Sequence, residues 1–129
     1  MKLTPSSFAS LALSAVLSFS AHAAESVKIG IVGPFSGPLT QYGEMQLNGA
    51  HAAIDMINER GGVNGRLLEA VEYDDVCEPK QAVTVANKII NSNVKFVVGH
   101  LCSSSTQPAT DIYQDEDVLI ITGSTNPGI

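Results

Sequence analysis

Between His100 and Thr106 the chain sets an imidazole and a thiol ahead of a run of hydroxyls, His100-Leu101-Cys102 then Ser103-Ser104-Ser105-Thr106. The first turn of a helix leaves unpaired N–H groups and about half a positive charge, so serines added there make a seat for a carboxylate without any arginine. Helix capping by Ser103 to Ser105 explains one serine and not three. Gly123-Ser124-Thr125-Asn126 supplies more hydroxyls further on. Gly33 to Tyr42 combines glycine and proline with Ser36, Thr40 and Tyr42, but it has neither GxGxxG spacing nor a Gly-Lys-Ser/Thr ending, so a phosphate site is poorly supported. Asp74-Asp75 is a pair that could hold a cation, although such a pair more often caps or solvates a loop. Serine is plentiful, yet His100 is the only base near it, and His51 and His100 both look isolated. No nucleophile, base and orienting acid assemble, so no catalytic residue, metal ligand or cofactor is expected.

The elements that must position these groups alternate between short apolar runs and longer helical patterns, the signature of βαβ units. Val27 to Val32 reads as a strand that runs into the turn-rich Gly33 to Pro38. Leu47, Ala50, Ile54 and Ile57 form the apolar stripe of a helix that Gly61-Gly62 ends. Leu68 to Tyr73 is a second strand. Glu78-Pro79 opens a second helix, which buries Ala82, Ala86, Ile89 and Ile90. Val94 to Gly99 is a third strand, Ser103 to Tyr113 a third helix and Val118 to Thr122 a fourth strand. Strands this apolar belong in a parallel sheet covered on both faces. The four loops above then leave the carboxyl ends of the strands, where open α/β sheets keep their ligands. After the fourth strand no helix follows to cover it. The fold class is therefore α/β, a βαβαβαβ order that reads as incomplete, the front part of a larger protein.

Composition narrows the partners. The 129 residues are 44% hydrophobic and 16% charged, with a net charge of −6, which argues against disorder and against nucleic acid, whose phosphates demand a basic stripe. Residues 1–23 read as a signal peptide: Lys2, an uncharged stretch from Phe8 to Phe19, and Ala21-His22-Ala23 as a cleavage site. The apolar stretch is shorter than the ~20 residues of a bilayer-spanning helix. Export places Cys77 and Cys102, the only two cysteines, in an oxidising compartment and favours a disulfide. Closing a loop of about 25 residues would stabilise the fold by roughly 3.5 kcal/mol in the chain-entropy model.

The stretches SGP, QYG, NGA, INERGGVNG, YDDVCEPKQAV, ANKIIN, GHLCSSSTQPA and ITGSTNP, in this order from Glu25 to Pro127, resemble the N-terminal part of the leucine/isoleucine/valine-binding proteins of branched-chain amino acid ABC transporters. The resemblance implies a lobe of a type I periplasmic-binding fold for residues 24–129, two such lobes closing on the amino acid like a hinged trap. It implies a monomer in the periplasm that delivers its ligand to an inner-membrane ABC permease, with no nucleic acid and no cofactor. Ser103 matches the serine that binds the ligand α-carboxylate, Thr125 a threonine that meets carboxylate and ammonium, and Tyr42 the aromatic beside the aliphatic side chain. Cys77 and Cys102 match the family's disulfide. One residue fewer separates Ile121-Thr122 from the TNP-like segment than in the family, so the carbonyl that receives the ammonium comes from Gly123 or Ser124. A sensor domain of the same fold is the alternative, and an exported hydrolase ranks third.

Overall fold

A computed structural model describes residues 25–129; the signal peptide expected at 1–23 lies outside them. Seven elements follow one another: β1 (Val27–Gly33), α1 (Thr40–Glu59), β2 (Leu68–Asp74), α2 (Pro79–Asn91), β3 (Phe96–Val98), α3 (Ser103–Asp115) and β4 (Leu119–Ile121). The strands form one sheet in the order β2-β1-β3-β4. Every pairing is parallel, with Ile29 opposite both Ala70 and Phe96, and Val97 opposite Ile120. The expected α/β class and element order hold.

The helices stop by a shared device. After α1, α2 and α3 the backbone turns left-handed at Gly61, Asn93 and Asp117, with φ of 93°, 54° and 53°. The amides that follow reach back to the helix, Gly62 to the Ile57 carbonyl, Val94 to Ile89 and Val118 to Tyr113. These are Schellman closures, which glycine and asparagine favour. They also shorten two strands. Val94 and Val118 were expected to open β3 and β4, but their amides close the preceding helices instead, so the ladders begin at Phe96 and Leu119.

Side chains alternate across a strand. Val32, Tyr73, Val97 and Ile120 therefore face α2 and α3, where Val85, Ala86, Ile89, Ala109 and Tyr113 complete a buried core. The other face carries α1 over β1 and β2, with Ile54 buried. Beyond α1 that face is bare: Phe96, Leu119 and Ile121 are 44%, 58% and 65% exposed. The expectation of a sheet covered on both faces is thus met in full on one face and over β1 and β2 on the other, because nothing among the described residues lies over β3 and β4 on the α1 side.

Candidate functional site

At the carboxyl edge of the sheet, β1 and β3 end in carbonyls that have no strand left to bond. Gln46, two turns into α1, answers both: its Nε2 donates to the Val32 and Val98 carbonyls at 3.1 and 3.2 Å. Helix α1 starts earlier than the loop reading of Gly33 to Tyr42 allowed, so Thr40 and Tyr42 lie in its first turn. Gly43 makes this close approach possible, since a Cβ there would sit 2.2 Å from the Pro34 carbonyl oxygen.

The Asp74-Asp75 pair divides its labour. Asp74 accepts from the Phe35 amide at 2.9 Å, the Val76 amide at 3.0 Å and the Ser36 hydroxyl. It caps a loop, as expected. Partial burial alone would raise its pKa, but the bonds from Ser36, Val76 and Phe35 outweigh that and hold the carboxyl below its ordinary value. Asp75, by contrast, is fully buried rather than solvated. Its Oδ1 accepts from the Cys77 amide at 3.0 Å, and its Oδ2 lies 2.6 Å from His100 Nδ1.

His100 is therefore not isolated, and neither is His51, whose Nε2 lies 2.7 Å from Glu72 Oε1. The reason is separation: the partners of His100 stand 25 and 13 positions away, one after β2 and one on α3, and only the fold brings them together. Its second nitrogen lies 3.0 Å from the Tyr113 hydroxyl. With the ring 0% exposed and both nitrogens engaged, it has nothing to offer a nucleophilic serine.

Cys77 and Cys102 are joined, with Cα atoms 5.5 Å apart. Cys102 takes the N-cap position of α3 without capping it, because its sulfur is bound to Cys77. Ser103 to Ser105 thus occupy the first turn instead of the cap. Ser104 donates to the Cys77 carbonyl at 3.2 Å, and Ser105 is buried with its hydroxyl unpartnered. The Ser105 and Thr106 amides return to Cys102, while those of Ser103 and Ser104 come too early in the helix to find a carbonyl within it.

In front of this edge lies an open hollow of about 550 Å3, lined by Tyr42, Met45, Gln46, Val98, Gly99, His100, Leu101, Ile121, Thr122 and Gly123. One wall is apolar, and no lysine or arginine takes part. Of the residues expected to bind, Tyr42 and Gly123 line it. Ser103 is half-buried at the head of α3, and Thr125 is exposed on the chain leaving β4. Ser124 turns its hydroxyl inward, 2.6 Å from Thr106 Oγ1, and its amide bonds Thr122 Oγ1 at 3.0 Å. Met45, Gln46, Leu101 and Thr122 were not singled out from sequence. The helical spacing from Tyr42 to Met45 and Gln46 is the signal that could have found two of them. Among the described residues no cluster of histidine, cysteine and carboxylate could hold a metal, and no helix is long and apolar enough to cross a membrane.

A family model described as periplasmic binding protein matches residues 26–128. The leucine-, isoleucine-, valine-, threonine- and alanine-binding protein of Pseudomonas aeruginosa is 62% identical over 117 residues, which cover 91% of this chain and 31% of that one. A leucine-specific-binding protein of Salmonella typhimurium is 59% identical over 105 residues, 81% of this chain and 28% of its own. Among solved structures, the branched-chain amino acid transporter substrate binding protein of Streptococcus pneumoniae in complex with isoleucine superposes with a TM-score of 0.76 at 33% identity. The match covers 80% of this chain and 30% of that one. The chain thus spans less than a third of the length of these relatives.

Proposed function

The chain belongs to the periplasmic binding protein family, and from that premise we propose that it supplies part of the first lobe of a trap for branched-chain amino acids feeding an ABC importer. The observation that carries this reading is the make-up of the hollow. Tyr42, Met45, Leu101 and Ile121 offer an aliphatic side chain an apolar wall, next to the polar edge of Thr122 and Gly123. The free amides at the head of α3 suit a carboxylate, and the carbonyl of Gly123 or Ser124 suits an ammonium. The names of the relatives from Pseudomonas aeruginosa and Salmonella typhimurium support leucine as a ligand. Each polar group in this arrangement binds and none reacts, so the role is capture without catalysis. Ser103 and Thr125 complete the seat around the carboxylate, the leader directs the protein to the periplasm, and an inner-membrane permease receives the ligand from a monomer.

The test uses a hybrid in which residues 25–129 replace the matching segment of the Pseudomonas aeruginosa relative, so that the relative supplies the rest of its chain. Calorimetric titration should show L-leucine binding, and leucine amide, which lacks the carboxylate, should bind far more weakly. A folded hybrid that takes up no leucine, isoleucine or valine overturns the reading.

A further inference from the structure

We propose that His100 is the positioning residue of this ligand site, its ring and its carbonyl together setting where the two ligand-facing segments stand. The inference rests on the functional reading above and assigns a role to a residue outside the expected contact set. His100 follows β3 after one intervening residue, and its neighbours Gly99 and Leu101 line the hollow. Its ring points away from solvent into the core between β2 and α3.

The donor toward Asp75 can be assigned. A carboxylate only accepts, so Nδ1–H donates to Asp75 at 2.6 Å. Burial, and after it the charge of Asp75, pushes the Tyr113 phenol well above its ordinary pKa. The phenol therefore keeps its proton, and its hydroxyl and Nε2 bond each other at 3.0 Å. With a bond at each nitrogen, the imidazole is held in one orientation.

The carbonyl of the same residue is the second anchor. Thr122 Oγ1 donates to it at 2.6 Å and Thr106 Oγ1 approaches at 3.2 Å. Having given its proton to that carbonyl, Thr122 receives the Ser124 amide at 3.0 Å. One residue thereby links the loop after β2 through its ring, and the first turn of α3 and the chain leaving β4 through its carbonyl. Losing the two ring bonds would free the His100 backbone to shift, and with it both Leu101 to Ser103 and Thr122 to Ser124. A side chain needed only to fill space could be apolar, since a buried polar pair is seldom more stabilising than a packed apolar one.

Four variants of the hybrid test this. Tyr113→Phe removes one hydroxyl and keeps the ring, while Thr122→Val removes the donor to the carbonyl with little change of shape. His100→Leu removes both ring bonds, and His100→Asn restores a donor toward Asp75. Leucine affinity, measured well below each melting temperature, should fall about tenfold in Tyr113→Phe and in Thr122→Val. It should fall further in His100→Leu and recover in part in His100→Asn. In the unsubstituted hybrid the downfield Nδ1–H resonance of His100 should move when leucine is added. A purely structural role predicts lowered melting temperatures with unchanged affinity and an unmoved resonance, and that result overturns the proposal. If the unsubstituted hybrid binds no leucine, the functional reading fails first and this inference falls with it.

Discussion

Asp74 and Asp75 are adjacent and chemically identical, yet one caps a loop at the surface and the other is sealed in the core. For Asp74 the consequence is a pH dependence whose sign can be worked out. Its folded pKa is depressed below the ordinary value of about 3.9, so the unfolded chain binds more protons as pH falls through that region. The stability it contributes is present above pH ~4 and is lost as pH drops through the lower, folded value. Melting temperature followed from pH 5 downward should show a shallower acid slope in Asp74→Asn than in the parent, and equal slopes would remove Asp74 from the account. Ser103→Ala removes a hydroxyl expected to bond a charged group, worth about 1.5–3 kcal/mol, so leucine affinity of the hybrid should drop roughly 10- to 150-fold by calorimetry. Its melting temperature should barely move, because Ser103 does not cap α3. Residue types alone pointed to the serines at the head of α3, since amides at a helix head are a local pattern, whereas Tyr42 came from the family resemblance. Nothing local marks His100, whose meaning comes from Asp75 on one strand end and Tyr113 on a later helix.

Helix α1 shows how one position within an element can reverse a general rule. Alanine is ordinarily favoured over glycine in a helix by roughly 0.5–1 kcal/mol. At Gly49 a Cβ would meet nothing within 4 Å, so Gly49→Ala should stabilise the fold by about that amount. At Gly43 the same methyl would press on the Pro34 carbonyl, so Gly43→Ala should destabilise it and push α1 off the edge of β1. Denaturant midpoints of the two variants, moving in opposite directions, check both. Element existence and order were legible because each apolar run or stripe is bounded by glycine, proline or a polar turn. The ends of β3 and β4 were not. Asn93 is a type that left-handed turns favour, but neither it nor Asp117 shows in sequence that the next valine's amide goes to the helix behind instead of to a strand. The bare α1-side face of β3 and β4 was foreseen only as a missing helix after the last strand. Val118, just before β4, is buried.

For the whole molecule, size decides what residues 25–129 can do alone. Pockets for small ligands cover about 70–90% of the ligand surface, whereas this hollow stands open on one edge of a single sheet. Water should compete for the carboxylate, and the isolated segment should bind leucine far more weakly than the hybrid. The exposed Phe96, Leu119 and Ile121, together with the edge strand β4, should also drive self-association. Calorimetry with leucine and a hydrodynamic radius measured across concentrations test both points, and tight binding by a compact monomer would contradict them. The disulfide has a mechanical side as well. Cys77 follows β2 and Cys102 follows β3, and β1 lies between those two strands in the sheet. When the chain is drawn by its ends, tension passes from one sulfur to the other and bypasses everything between them. Helix α2 and strand β3 lie wholly inside that bypass. About 25 residues, roughly 85 Å of extended chain, carry no load while the bridge stands. The bridge thus shields β3, the strand that leads into His100, from a pull on either end.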